Sequence, residues 1–215
     1  MRFLSQIMLA IFLTNPFGSL ASASGVPENG VLAFDIVRNG DAIGTHTYRF
    51  NRSGNRTEVS IRTDIDFRLL FIPVYRFEHE SREVWENGLL LSLESQTNEN
   101  GSPVKLQVVQ DENSLMVKGE DRNLRVDREI IPASLWNRLV LERAETLTTI
   151  SGSLKKFEVE FIGEKTIEIH GDEFLSQHFR LTGEFEREIW YDANDVLIRA
   201  QFEASDGSTV EYVLK

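Results

Sequence analysis

Residues 56–67, RTEVSIRTDIDF, alternate without interruption. Thr57, Val59, Ile61, Thr63, Ile65 and Phe67 fall on one side, and Arg56, Glu58, Ser60, Arg62, Asp64 and Asp66 on the other. A strict period of two places one set on each face of a β-strand, whereas a helix would scatter both sets around its circumference. The same alternation recurs at 31–38, 43–51, 73–85, 89–97, 104–110, 157–162, 165–169, 174–181, 187–191, 196–204 and 209–214. Between these runs lie Asn39-Gly40, Asn87-Gly88, Asn100-Gly101, Gly171-Asp172 and Asp206-Gly207. Such dipeptides tolerate the positive φ that tight hairpins require, so successive strands become antiparallel neighbours. The pattern predicts an all-β fold, an antiparallel meander. About a dozen strands exceed what a flat twisted sheet comfortably holds, so one large curved sheet is expected, forming a barrel or half-barrel.

One segment departs from the period. In IPASLWNRLVLERAE, Pro132 suits a first helical turn, while Leu135 with Leu139 and Trp136 with Val140 lie four apart. One helix is predicted over 132–143, packed across an open end or face of the sheet. The start of the chain reads differently again. Arg2, the apolar run 3–13 and Ala21-Ser22-Ala23 follow the order of a secretory signal peptide, so residues 1–23 are expected to be removed. That apolar run is shorter than the roughly 20 residues of a transmembrane helix. Residues 24–215 then form a single antiparallel β-domain in an exported protein, with a bacterial periplasm the expected compartment. No transmembrane segment is expected after cleavage.

The chain has no cysteine, so its stability must come from burial and hydrogen bonding alone. Its formal charge of −11 makes nucleic acid an unfavourable partner, because phosphate would be repelled. Four scattered histidines without close spacing predict no metal, and no cofactor fingerprint or nucleophile elbow is present.

Residues 73–85, PVYRFEHESREVW, carry the densest chemistry. One face presents Tyr75, Phe77, His79, Ser81, Glu83 and Trp85; the other is largely an alternation of opposite charges. Same-face neighbours stand roughly 6–7 Å apart along a strand, and His79 and Glu83 about twice that. A direct His79–Glu83 pair is therefore excluded on a regular strand. The face can be a satisfied buried polar cluster, a band facing a ligand, or a catalytic group. His46 shares its face with Gly44, Tyr48 and Phe50, echoing the same composition, and the two histidines can approach if their strands are near neighbours.

Several motifs together resemble an uncharacterised family of exported bacterial proteins, the domain of unknown function 6134. They are Gly40, Gly44 and His46; Tyr75, Phe77, His79, Glu83 and Trp85 followed by Asn87-Gly88; Leu135-Trp136-Asn137; Ile189 to Asp192; and Asp206 to Ser208 with Glu211 to Leu214. Asn194-Asp195 departs from the glycine more usual in that turn, which bears only on the turn type. The resemblance implies export and a long curved antiparallel sheet. It carries no established activity, so no catalytic residue transfers.

The leading expectation is a periplasmic binding or carrier module for an apolar or amphipathic small molecule, with Tyr48, Phe77, His79 and Trp85 lining its cavity and Tyr75, Glu83 and His46 beside them. The alternative is a structural or interaction protein of the cell envelope without a pocket. A hydrolase using His79 is the third reading; the sequence leans away from an enzyme.

Overall fold

The computed structural model describes residues 25–120 and 123–215; the expected leader at 1–23 lies outside them. In chain order the strands are β1 (Val31–Arg38), β2 (Asp41–Ser53), β3 (Arg56–Leu69), β4 (Ile72–Glu86), β5 (Leu89–Glu99), β6 (Ser102–Asp111) and β7 (Ser114–Lys118). There follow β8 (Asn123–Asp127), β9 (Glu145–Leu147), β10 (Leu154–Ile169), β11 (Asp172–Gly183), β12 (Arg187–Tyr191), β13 (Leu197–Glu203) and β14 (Thr209–Leu214). All fourteen belong to one antiparallel sheet, ordered β8-β7-β6-β5-β4-β3-β2-β1-β14-β13-β12-β11-β10-β9. Every hairpin joins sequence neighbours, and the first strand pairs with the last, Phe34 opposite Leu214. β8 and β9 are the end strands of this order, and the outer side of β9 bonds only to the 131–133 segment, so among the described residues no strand ladder closes the sheet into a barrel.

The sheet nevertheless curls strongly. β7 and β10 stand eleven strand spacings apart, roughly 50 Å if flat. Gly152, two residues before β10, packs directly on Leu106 of β6 and Val117 of β7. A Cβ at Gly152 would meet their side chains at 2.6 and 2.7 Å, so the contact depends on glycine. The inner face holds one continuous core, from Leu115 and Val117 through Leu93, Val59 and Phe34 to Leu181 and Phe157. A smaller cluster of Ile167, Ile169, Trp190 and Ile198 covers part of the opposite face.

Two sequence expectations need correction. Runs 157–162 and 165–169 are one strand, β10, in which Gly163 (φ 143°) absorbs a bulge opposite Phe179 and His178. A bulge breaks the period without ending the ladder. The helix expected over 132–143 does not form. Among the described residues there is no α-helix, only a five-residue 3-10 turn, Arg138–Glu142, whose first turn is capped by the Asn137 side chain accepting from Leu139 N–H. Pro132 bridges to Leu147, and Leu135 takes φ 65°, a left-handed conformation that a right-handed helix cannot contain. Tertiary bonds to the sheet override the spacing of four. Strands β7, β8 and β9 have no counterpart among the strands read from the sequence. No described helix is long and apolar enough to cross a membrane.

Candidate functional site

The site grows from the register of β2 to β5. His46 on β2 lies opposite Thr63 on β3, Thr63 opposite His79 on β4, and His79 opposite Thr97 on β5. Cross-strand neighbours on one face touch, so the row alternates ring and hydroxyl. His46 Nδ1 meets Thr63 Oγ1 at 2.7 Å, and His79 Nδ1 meets Thr97 Oγ1 at 2.8 Å. Both histidines are buried. Burial lowers the His46 pKa to about 3, with a further push from His79, and lowers His79 to about 4. The pair is therefore neutral at pH 7. His46 also stacks on Tyr212 at 5.1 Å and meets Tyr48 edge-on at 4.5 Å.

The next rows along the strands hold the segment that caps the sheet. Tyr48 donates its hydroxyl to the Ser134 carbonyl (2.5 Å), and Tyr191 donates to the Leu135 carbonyl (2.8 Å). Glu83, fully buried, accepts from the indole N–H groups of Trp85 and Trp136 through one oxygen, Oε2, each at 2.9 Å. The two indoles meet edge-to-face at 5.5 Å. Burial raises the Glu83 pKa, and the two indole donors, Trp136 first, pull it back. The Ser134 hydroxyl adds a smaller pull, although neither Ser134 Oγ nor Glu83 Oε1 completes a hydrogen bond. Glu83 is thus the anchor of the cap.

Beside that anchor lies a cavity of about 360 Å³. Its floor is the His46–Thr63–His79 row with Tyr48, Ile61, Phe77 and Ser81. The 133–135 and 148–150 loops form one wall; Phe185, Arg187 and Tyr212 form another, with Lys155, Glu184 and Glu186 also lining it. The volume sits at the low end of pockets that enclose small molecules, about 300–1,000 Å³. A wider depression of about 940 Å³ occupies the opposite, charged face of β2–β7, among Arg49, Arg62, Arg82, Glu80 and Glu94. Exposed charged side chains dominate it, and Arg62 is paired with Glu80 and Asp64, and Arg82 with Glu58, so these charges are satisfied by one another.

The structure divides the sequence candidates. His46, Tyr48, Phe77 and His79 come together in the cavity lining. Glu83 and Trp85 do not line it; they belong to the anchor one and two rows further on. Tyr75 continues the aromatic stack with Phe77 (6.4 Å) away from the cavity, half-buried, its pKa raised to about 12 by burial and by Glu99. Sequence reading missed Thr63, Tyr212, Lys155 and Arg187. For Arg187 a signal existed: it shares the parity of Phe185 and Ile189, where a core-facing aliphatic would be expected. Among the described residues no cluster of three histidine, aspartate or glutamate side chains is placed to hold a metal.

The family model described as a domain of unknown function (DUF6134) matches residues 34–215. The chain belongs to this family. The matched region takes in β1 through β14 almost whole, including both histidines, the Glu83 anchor and the capping segment. A search of curated proteins gave no match.

Proposed function

We propose that this DUF6134 member is an exported, periplasmic binding or carrier module that holds an apolar or amphipathic small molecule in the inner cavity. The supporting observation is the cavity itself, bounded by a capping segment that buried Tyr48, Tyr191 and Glu83 fix in place. Its lining mixes apolar faces (Ile61, Phe77, Leu135, Phe185) with a few oriented polar groups, the composition by which small-molecule sites combine affinity with orientation. The histidines are oriented by threonine hydroxyls and not by a carboxylate. They therefore lack the link that raises an imidazole's basicity in a nucleophile–base–acid relay, and this favours binding over hydrolysis.

Native mass spectrometry of protein purified from its own periplasm, with solvent extraction of the same sample, tests the reading. A bound species in one-to-one ratio is expected, on a chain beginning at Ser24. An apo protein that also binds no member of an amphiphile panel would overturn it.

A second reading draws on a separate feature. The tip of the β3–β4 hairpin exposes Leu70 (86 %), Phe71 (92 %) and Ile72 (69 %), an apolar projection that suits an interaction protein of the envelope. If that role dominates, Phe71→Ser removes association with envelope fractions while the cavity's ligand content stays unchanged.

A further inference from the structure

Arg187 has no counter-ion among the described residues. Its guanidinium lies over the rings of Phe185 (4.6 Å) and Phe202 (4.2 Å), and it donates a hydrogen bond of 2.6 Å to the neutral carbonyl of Glu186. Among the described residues no carboxylate pairs with it. Other partly buried arginines do pair with a carboxylate, Arg199 with Glu211 and Arg138 with Asp195. Burial is the dominant influence on Arg187 and disfavours its charge. A guanidinium has five donors, and a charge taken out of water is ordinarily paired. Here the donors beyond that one bond have no protein partner among the described residues, and they are not sealed in the core but border the cavity.

Two further groups in the same lining are equally uncommitted. Lys155, half-buried, has no partner among the described residues. His46 Nε2 is buried without a hydrogen bond. The two carboxylates of the lining, Glu184 and Glu186, are exposed, and Glu184 already accepts the Lys156 backbone N–H at 3.0 Å. Solvent screens those acids, whereas the aromatic rings shield Arg187 on its faces.

We propose that the ligand is an anionic amphiphile: one carboxylate or comparable oxyanion held by Arg187, with Lys155 as the second cation, and an apolar body over Phe77, Ile61 and Leu135. This rests on the cavity being a binding site, and adds the charge of what it binds. The planar fork of arginine matches a carboxylate with two parallel N–H···O bonds, which is why this site would distinguish an acid from an alcohol of equal length. The apolar surface alone would not.

Calorimetric titration with decanoate, decan-1-ol and decyltrimethylammonium, three heads on one ten-carbon chain, reads the inference directly in the wild-type protein. Decanoate is expected to bind at least tenfold more tightly than the other two. Arg187→Gln should remove that preference while leaving decan-1-ol binding within twofold; Arg187→Lys should retain part of it. Equal binding of all three ligands by the wild type, or a decanoate preference that survives in Arg187→Gln, overturns the anionic assignment and leaves the cavity reading standing. No binding of any of the three overturns both. The wild-type series decides the question even if the Arg187→Gln variant does not fold.

Discussion

At the residue scale, Glu83 and the histidine pair show what buried polar groups do in this sheet. A single carboxylate oxygen satisfies two buried indoles, so its removal orphans both donors at once. Glu83→Leu is expected to cost about 2–6 kcal/mol, since each of the two unsatisfied buried donors costs about 1–3 kcal/mol. Glu83→Gln, which keeps an acceptor oxygen, should cost much less. Urea unfolding of the two variants checks this; equal losses would show that Glu83 is not the acceptor that matters. The histidines predict a pH dependence. Unfolded, they take up protons near pH 6.5; folded, only near about 4 for His79 and about 3 for His46. Their contribution is therefore complete above pH 6.5 and is lost as pH falls toward those folded values. Each histidine approaches a slope of about 1.4 kcal/mol per pH unit in that window. Glu83 works in the opposite direction. Its raised pKa lets the folded chain hold a proton that the unfolded chain releases just above 4.5, which offsets part of the loss. Unfolding free energies at pH 7.5, 6.5 and 5.5 should fall in that order, with His79→Gln showing no more than about half the wild-type slope. A slope identical in the two proteins would refute the assignment.

At the element scale, the strands were legible because their two faces differ so sharply in polarity. β1, β12 and β14 occupy the ranges read from the alternation, 31–38, 187–191 and 209–214. The reading failed where geometry departs from period two. Asp195 takes the left-handed conformation (φ 61°) in the turn where a glycine was the expected residue, and the turn forms regardless. Gly44 carries a stricter demand. A Cβ there would stand 2.1 Å from the Asp64 carbonyl oxygen of β3, so no side chain fits without separating the two strands. Gly44→Ala is therefore expected to destabilise by about 1–3 kcal/mol or more, the cost of forcing atoms into a packed region. It should also shift amide resonances along β2 and β3 near the His46–Thr63 pair. A variant with wild-type melting temperature would contradict this close approach. The 132–143 segment misled for the reverse reason. Its spacing of four is real, and Leu135, Trp136 and Val140 all join the core, but the left-handed Leu135 (φ 65°) keeps them from forming one helical stripe.

At the scale of the whole molecule, the pairing of β1 with β14 joins the two ends of the described chain in the middle of the sheet. Without β14, the strands divide into a β1–β8 set and a β9–β13 set with no direct ladder between them. Deleting residues 209–215 is thus expected to abolish a single cooperative unfolding transition rather than merely fray an end, and circular dichroism against urea would show it. A truncated protein that retains one sharp transition would mean that the shared core suffices without the ladder. The sequence by itself determined the all-β class, most of the strand boundaries and the inward set of Tyr48, Phe77 and His79, because alternation and turn chemistry are local properties. Tertiary structure alone decided that His46 and His79 flank Thr63 in one row, that Glu83 belongs to the cap and not the cavity, and that Arg187 has no counter-ion among the described residues. Each of these depends on strand register or on a distant loop laid across the curled face, and register is set by packing between strands that no single stretch of sequence encodes.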